Sequence, residues 1–190
     1  MARPREFDPD DALENAMQVF WTLGYEDASL PELLEGMGLT RGSLYKAFKD
    51  KKSLFLNVMD RYDAREVDNA VAHLGNPDVA DGWERITTLF RSITSAVAQG
   101  DRRGCLLCSA AAGPARYDTD IAKSVQNGLD RMQGAFKTAL QATDSDPALA
   151  DLLLTQYVGL RIQARANQSE TNLIASIEGI DRLKAVKRKT

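Results

Sequence analysis

Residues Leu33 to Phe55 read LLEGMGLTRGSLYKAFKDKKSLF. Two short apolar-periodic segments meet there across Gly36-Met37-Gly38-Leu39, and the second opens at Thr40, whose hydroxyl can accept from the unpaired backbone N–H groups of a helix start. Immediately upstream, Ser29-Leu30-Pro31-Glu32 has the S-x-x-E spacing of a capping box, with the proline in the first turn where its missing N–H costs nothing. The spacing predicts a short helix from Leu30 to Gly36, a second over 41–46, and a longer one that Asp50 caps, running from Lys51 to about Leu74 before Gly75-Asn76-Pro77 stops it. Two short helices joined by a tight glycine-bearing turn make a helix-turn-helix. Gly36 and Gly38 should leave that turn mobile, because glycine loses most entropy on ordering.

Charge is concentrated at the same place. Between Leu39 and Lys52 stand Arg41, Lys46, Lys49, Lys51 and Lys52 against Asp50 alone, whereas Phe7 to Gly38 contains no lysine or arginine. The whole chain carries a formal net charge of -3, which argues against indiscriminate nucleic-acid binding and makes the local cationic cluster the informative feature. A recognition helix enters the DNA major groove by its N-terminal end, so its first side chains reach base edges while backbone N–H groups face phosphate. Arg41 and Ser43 are in position for base edges, and Gly42 leaves room for close approach. Tyr45 can give its hydroxyl to a phosphate, Lys46 follows one turn after Gly42, and Lys51 combines charge with a helix start.

This stretch resembles the DNA-binding signature of the TetR family of bacterial repressors, in which a short recognition helix is followed by a Tyr, a Phe and a Lys at the next helix start. The resemblance runs over about Phe7 to Phe55. It implies that Thr40, Arg41, Ser43, Tyr45, Lys46 and Lys51 contact a double-stranded DNA operator, while Phe48, Leu54 and Phe55 pack the small domain. Ala47 stands where many members carry a phosphate-touching His, so one backbone contact is missing.

The rest of the chain fits an all-α fold. Alanine and leucine are abundant and no period-two alternation is sustained. Asp8-Pro9 starts a first helix that Leu13, Ala16, Met17 and Phe20 keep apolar on one face until Gly24. After residue 77 come helices at about 83–99, 105–112, 118–142, 147–167 and 169–187, followed by a fraying basic tail, KAVKRKT. The layout is about nine helices: a helix-turn-helix DNA-binding domain over 1–52, and a larger helical domain over 53–190. The resemblance assigns ligand binding and dimerisation to this larger domain.

Composition bounds the alternatives. Hydrophobic residues at 44% and charged residues at 27% are those of a folded globular chain. There is no apolar stretch long enough for a bilayer, and MARPREFDPD has no leader-like apolar region, so a cytoplasmic protein without a membrane partner is expected. Two cysteines do not form a disulfide framework, consistent with a reducing compartment. No P-loop, G-x-G-x-x-G or nucleophile elbow is present, and the single His73 leaves a metal site without enough ligands. Neither an enzyme nor a cofactor is expected.

By the same resemblance, the last two helices carry a homodimer. Leu149, Leu152, Leu153, Leu160, Leu173, Ile177 and Ile180 form apolar stripes there, with Gly159, Ala164 and Ala175 permitting close packing. It also implies a cavity in the larger domain for a small-molecule inducer. Met59, Tyr62, Trp83, Phe90, Met132, Phe136 and Tyr157 are its candidate lining, mostly apolar with few polar anchors. Cys105 and Cys108, in RRGCLLC, lie at i, i+3 near a helix start, where Arg102 and Arg103 would favour the thiolate. Some TetR-like repressors with a similar G-C-L-L segment sense electrophiles or oxidants through a thiol. That implies Cys105 as the attacking thiol and Cys108 as its resolving partner. A thiol-disulfide oxidoreductase would use the same C-x-x-C but expects a preceding strand, and a helical adaptor would leave Arg41, Lys46 and Lys51 without a purpose.

Overall fold

The computed structural model describes residues 7–185. Residues 1–6 of MARPREFDPD and residues 186–190 of the basic tail lie outside the described residues. Ten α-helical segments follow in order: α1 (Pro9–Leu23), α2 (Leu30–Met37), α3 (Arg41–Phe48), α4 (Lys51–Tyr62), α5 (Asp68–Gly75), α6 (Gly82–Ala98), α7 (Leu106–Ala112), α8 (Thr119–Gln141), α9 (Leu149–Arg165) and α10 (Glu170–Asp181). Among the described residues there is no β-strand. A π-helical turn, Asp63–Val67, joins α4 to α5, so residues 51–75 form one continuous rod and the nine-rod layout stands.

Local chemistry explains the head. Asp8 accepts from Asp10 N at the start of α1, and both halves of the Ser29–Glu32 capping box close on α2. Thr40 Oγ1 accepts from Ser43 N at 3.2 Å, and Asp50 Oδ1 from Ser53 N at 2.6 Å. The turn between α2 and α3 differs from its expectation. Helix α2 continues past Gly36 to Met37, and Gly38, at φ 63 and ψ 30, is its left-handed cap; Leu39 N donates to Leu34 O at 3.0 Å. Gly36 lies inside the helix, where an added Cβ would stand 2.5 Å from Val19 Cγ2. It permits the close approach of α2 to α1, so these glycines fix the turn rather than loosen it.

Helix α4 belongs to both halves of the molecule. Near its start, Phe55 packs edge-on against Phe20 at 4.9 Å; at its end, Tyr62 packs edge-on against Trp21 at 5.0 Å. Arg61 pairs with Asp10 and Arg65 with Glu14, each at 2.7 Å, tying the rod to α1. Lys52 bridges Asp118 at 2.8 Å and Asp120 at 2.7 Å, which joins the first turn of α4 to the first turn of α8.

Helix α8 is the spine of the larger half, against which α5, α6, α7 and α9 pack. Small residues set the spacing: a Cβ at Gly128 would lie 2.6 Å from Leu107 Cδ1, and one at Gly82 would collide with the Ala139 carbonyl. The apolar stripes of α9 and α10 turn inward. Leu149, Leu153, Leu160, Leu173, Ile177 and Ile180 are buried within their own protomer, which corrects their assignment to a dimer surface. Helical periodicity marks a buried face without saying what covers it, and here α6 and α8 do. Leu152 is the one candidate left exposed, at 46%; Ile162 on α9 and Ile174 on α10 are exposed as well.

Candidate functional site

Helix α3 presents its polar side to solvent. Thr40, Arg41, Gly42, Tyr45 and Lys46 are exposed, Ser43 is half-buried, and Leu44 and Phe48 anchor the helix to the core. Tyr45 is 46% exposed, so its ring is not consumed by packing. Thr40 Oγ1 and Ser43 Oγ lie 3.0 Å apart, which fixes the polar groups at the N-terminal end of the helix. Nothing comes within 4 Å of a Cβ built at Gly42, leaving that spot open to an approaching backbone. Lys51 is more engaged: its Nζ donates to Glu26 O at 3.4 Å and sits 4.7 Å from the Tyr25 ring centre. Burial lowers its pKa from the ordinary lysine value, opposed by Glu26, Asp27 and Glu32. Lys52, counted in the cationic cluster, is committed to α8.

The second cluster lies where α4, α7 and α9 meet. Cys105 is the residue before α7, and both it and Cys108 are buried free thiols. Tyr62 Oη donates to Cys105 Sγ at 3.4 Å. The Cys105 pKa is drawn down to about 6. The Cys108 thiol hydrogen bond is the largest cause; burial opposes it, and the Arg161 charge, the Tyr62 hydroxyl and the Cys108 backbone N–H assist. Cys108 is pushed up, first by donating to Cys105 and then by burial, and Tyr62 is pushed up by burial. The two shifts run in opposite directions, so Cys105 is the more acidic thiol of the pair.

The charge beside Cys105 comes from an unexpected residue. Arg102 donates to Gln168 O at 3.0 Å, and Arg103 pairs with Asp101 at 2.7 Å while lying over the Trp21 ring at 4.1 Å. The charge that lowers the thiol pKa is that of Arg161, 56 positions after Cys105 in sequence. Its one visible sign in the sequence is an arginine set between the apolar residues Leu160 and Ile162. Gly104 makes the approach possible: at φ 71, it lies where a Cβ would be 2.6 Å from Arg161 O. Trp21 Nε1 donates to Gly104 O at 3.2 Å, and Arg165 Nη1 donates to Trp21 O and Arg103 O at 2.9 Å each, so the thiol loop is bound directly to α1 and α9.

A cavity of about 210 Å³ opens beside the thiols. Of the predicted lining, Tyr62, Met132 and Tyr157 face it. Met59, Trp83, Phe90 and Phe136 do not: Met59 is core, Trp83 donates to Ser145 Oγ at 2.7 Å, and Phe90 and Phe136 are buried 6.0 Å apart. An apolar residue on the right helix face packs as readily behind a cavity as into it. The wall is also more polar than expected, since Arg161, Glu66, Asn69 and His73 contribute to it. On another side Cys105, Cys108 and Arg161 border an open groove of about 450 Å³, which offers a route to the sulfurs.

Residues 12–58 match the family described as bacterial regulatory proteins, tetR family. Over nearly the whole length the chain is 48% identical to the HTH-type transcriptional repressor ComR of Escherichia coli (strain K12), covering 90% of this chain and 86% of that protein. The chain belongs to the TetR family. Its fold agrees with a cysteine mutant of the TetR family transcriptional regulator CifR, complexed with 26bp double-strand operator DNA: TM-score 0.82, 30% identity, 96% of this chain and 99% of the other. It also shares the fold of the reduced form of E. coli NemR, at TM-score 0.79 and 19% identity over 94% of this chain and 97% of the other. As a TetR-family member the chain is a DNA-binding transcription regulator of the repressor class, with α2 and α3 as its helix-turn-helix. The alternatives of an oxidoreductase or a helical adaptor find no support: among the described residues no strand precedes the C-x-x-C, and the relatives are regulators. No helix among the described residues is long and apolar enough to cross a membrane.

Proposed function

We propose that this TetR-family chain is a homodimeric, cytoplasmic repressor that grips a pseudo-palindromic operator while Cys105 is a free thiolate and releases it when that sulfur is oxidised or alkylated. One observation carries the reading: the Cys105 sulfur rests on Tyr62, the last residue of the helix whose first residue is Lys51. Anything bonded to the sulfur takes its negative charge away from the Tyr62 hydroxyl that donates to it and competes for the space of that contact, so Tyr62 loses its partner and shifts. Displacing Tyr62 tilts α4, and with it the head that carries α3. In a two-fold dimer the recognition helices would stand ~34 Å apart, so a small tilt in each protomer mis-spaces both half-sites together.

The chemistry balances with a hydroperoxide as oxidant. The Cys105 thiolate attacks one peroxide oxygen, the O–O bond breaks, and the departing oxygen takes a proton to leave as water or alcohol. The Cys105 sulfenic acid is then attacked by the Cys108 sulfur; water leaves, a disulfide forms, and two electrons have passed from the thiols to the peroxide. The outer face of α9 and α10, bearing Leu152, Ile162 and Ile174, is the dimer surface in this reading. Fluorescence anisotropy on DNA flanking the protein's own gene, with excess competitor, tests it. Reduced protein should bind specifically and lose affinity steeply with salt, and peroxide should release it. In Cys105→Ser the reduced affinity should persist and the release vanish; release that continues in this variant contradicts the reading.

A further inference from the structure

Arg161 raises the cost of the cavity in a way the thiol chemistry alone does not explain. Its Nε is shielded from solvent with no hydrogen-bond partner, and the acidic groups that act on it most are the Tyr157 and Tyr62 phenols and the Cys105 thiol; the Asp101 carboxylate also feels its charge but is paired with Arg103 at 2.7 Å. Both phenols are held neutral by burial, so the Cys105 thiolate is the anion beside Arg161 that has no other cation as partner. Glu66 borders the same cavity, but its carboxylate is turned toward Arg65 Nε at 3.4 Å. Modification by a neutral electrophile turns the thiolate into a thioether and leaves a half-buried guanidinium, its Nε shielded from water, without that charge beside it, a costly arrangement. An electrophile that brings its own carboxylate restores the balance, and the planar guanidinium is shaped to take both carboxylate oxygens.

We infer that Arg161 is an anion subsite of this cavity, and that the reagents to which Cys105 answers best are small electrophilic carboxylates, halogenated or α,β-unsaturated. The inference rests on the thiol reading above and adds the ligand class. With a haloacetate, the thiolate forms a C–S bond at the methylene as the carbon–halogen bond breaks and the halide leaves with its electron pair; no proton moves. With an unsaturated acid, sulfur bonds to the β-carbon and the α-carbon takes a proton from water. The cavity's 210 Å³ is below the ~300–1,000 Å³ of sites for drug-sized ligands, which suits such compact acids.

The test compares iodoacetate with iodoacetamide on the full, reduced chain, with alkylation of Cys105 followed by peptide mass spectrometry. In water a free thiolate reacts more slowly with iodoacetate, because like charges repel. Cys105 should show the reverse preference, and Arg161→Gln should move the rate ratio by about tenfold toward the neutral reagent, the size of one charge-assisted contact. The ratio cancels any change in thiolate nucleophilicity, and Arg161→Lys, which keeps the charge, should retain a preference for iodoacetate. In the parent chain, unreactive propionate should slow alkylation by iodoacetamide and should do so less in Arg161→Gln. Rapid alkylation with iodoacetamide preferred, and a ratio indifferent to Arg161→Gln, would overturn the subsite and leave the thiol reading standing. If neither reagent modifies Cys105 faster than free cysteine, both fall together.

Discussion

In the head, Arg41, Tyr45 and Lys46 lie within one turn and a half of a single helix, each exposed to water, and Thr40 caps its start. Around Cys105 the contacts come from Tyr62 on α4, Cys108 on α7 and Arg161 on α9, and little of the cluster reaches solvent. Charges that are already solvated hold nothing together, so in the head function and stability should separate. Groups that are desolvated against one another carry both at once, so in the cavity a change that alters chemistry should also alter the fold's free energy.

The largest test of that contrast is Arg41→Glu. Loss of a base contact worth ~1–3 kcal/mol at each half-site, joined by repulsion from phosphate, should lower operator affinity at least about a hundredfold. The melting temperature should move by less than about 2 °C, since exposed substitutions stay within ~0.5 kcal/mol. A large drop in melting temperature with intact DNA binding would erase the distinction.

Two glycines sharpen it. Gly104→Ala places a Cβ against the Arg161 carbonyl at a positive φ, and strain plus overpacking should cost ~2–4 kcal/mol, seen as a lowered denaturant midpoint. Gly42→Ala meets nothing within 4 Å and gains helix propensity, so it should be neutral or stabilising by up to ~1 kcal/mol. Its effect should appear only on operator DNA, as weaker binding where the added methyl obstructs approach. Equal destabilisation by the two alanines would show that exposure is not what divides these regions.

How much of each region could be read in advance follows from the same difference. The capping box at Ser29–Glu32 and the Thr40 cap are patterns four residues long, and the structure forms both. Gly38 was legible as a turn residue, though its task of ending α2 in a fixed left-handed cap was not separable from that of Gly36, which faces Val19. Cys105 and Cys108 announced themselves by spacing; the charge beside them did not, because Arg161 reaches the thiol through tertiary packing. The π turn at Asp63–Val67 inserts a residue into a helix without any marker such as proline or glycine. Leu153, Ile177, Phe90 and Phe136 were legible as apolar faces, but periodicity cannot tell core from interface or cavity wall.

A smaller effect is expected at Tyr62. With its pKa near 6, Cys105 should alkylate at a rate that is flat above about pH 7 and falls about tenfold for each pH step well below 6. The sign for stability is fixed by the same depression: relative to an unfolded thiol near 9, the thiolate adds stability fully present above that value and lost as pH falls toward 6. Tyr62→Phe removes one donor to the thiolate, so the kinetic midpoint should rise and the rate at pH 7 should fall. A midpoint that stays put would assign the depression to Cys108 and Arg161 alone.

The smallest effect returns to the head, at the junction where its separation of function from stability is least complete. Lys49 has φ 65 and ψ -58, and Asp50 N donates to Phe48 O at 2.7 Å across it, a γ-turn of the strained, positive-φ kind. Lys49→Gly relieves a strain of ~1–3 kcal/mol but gives back ~0.5–1 kcal/mol in unfolded-state entropy. Differential scanning calorimetry should therefore find a melting temperature higher by a few degrees. The same change deletes an exposed cation beside the recognition helix. If Lys49 also neutralises a phosphate, the slope of log affinity against log salt should become shallower by about one for each protomer, while the preference for operator over competitor is kept. A stabilised variant with an unchanged salt slope would make Lys49 a purely conformational residue. The strain would then set the angle between α3 and α4, the joint through which any movement of Tyr62 has to pass.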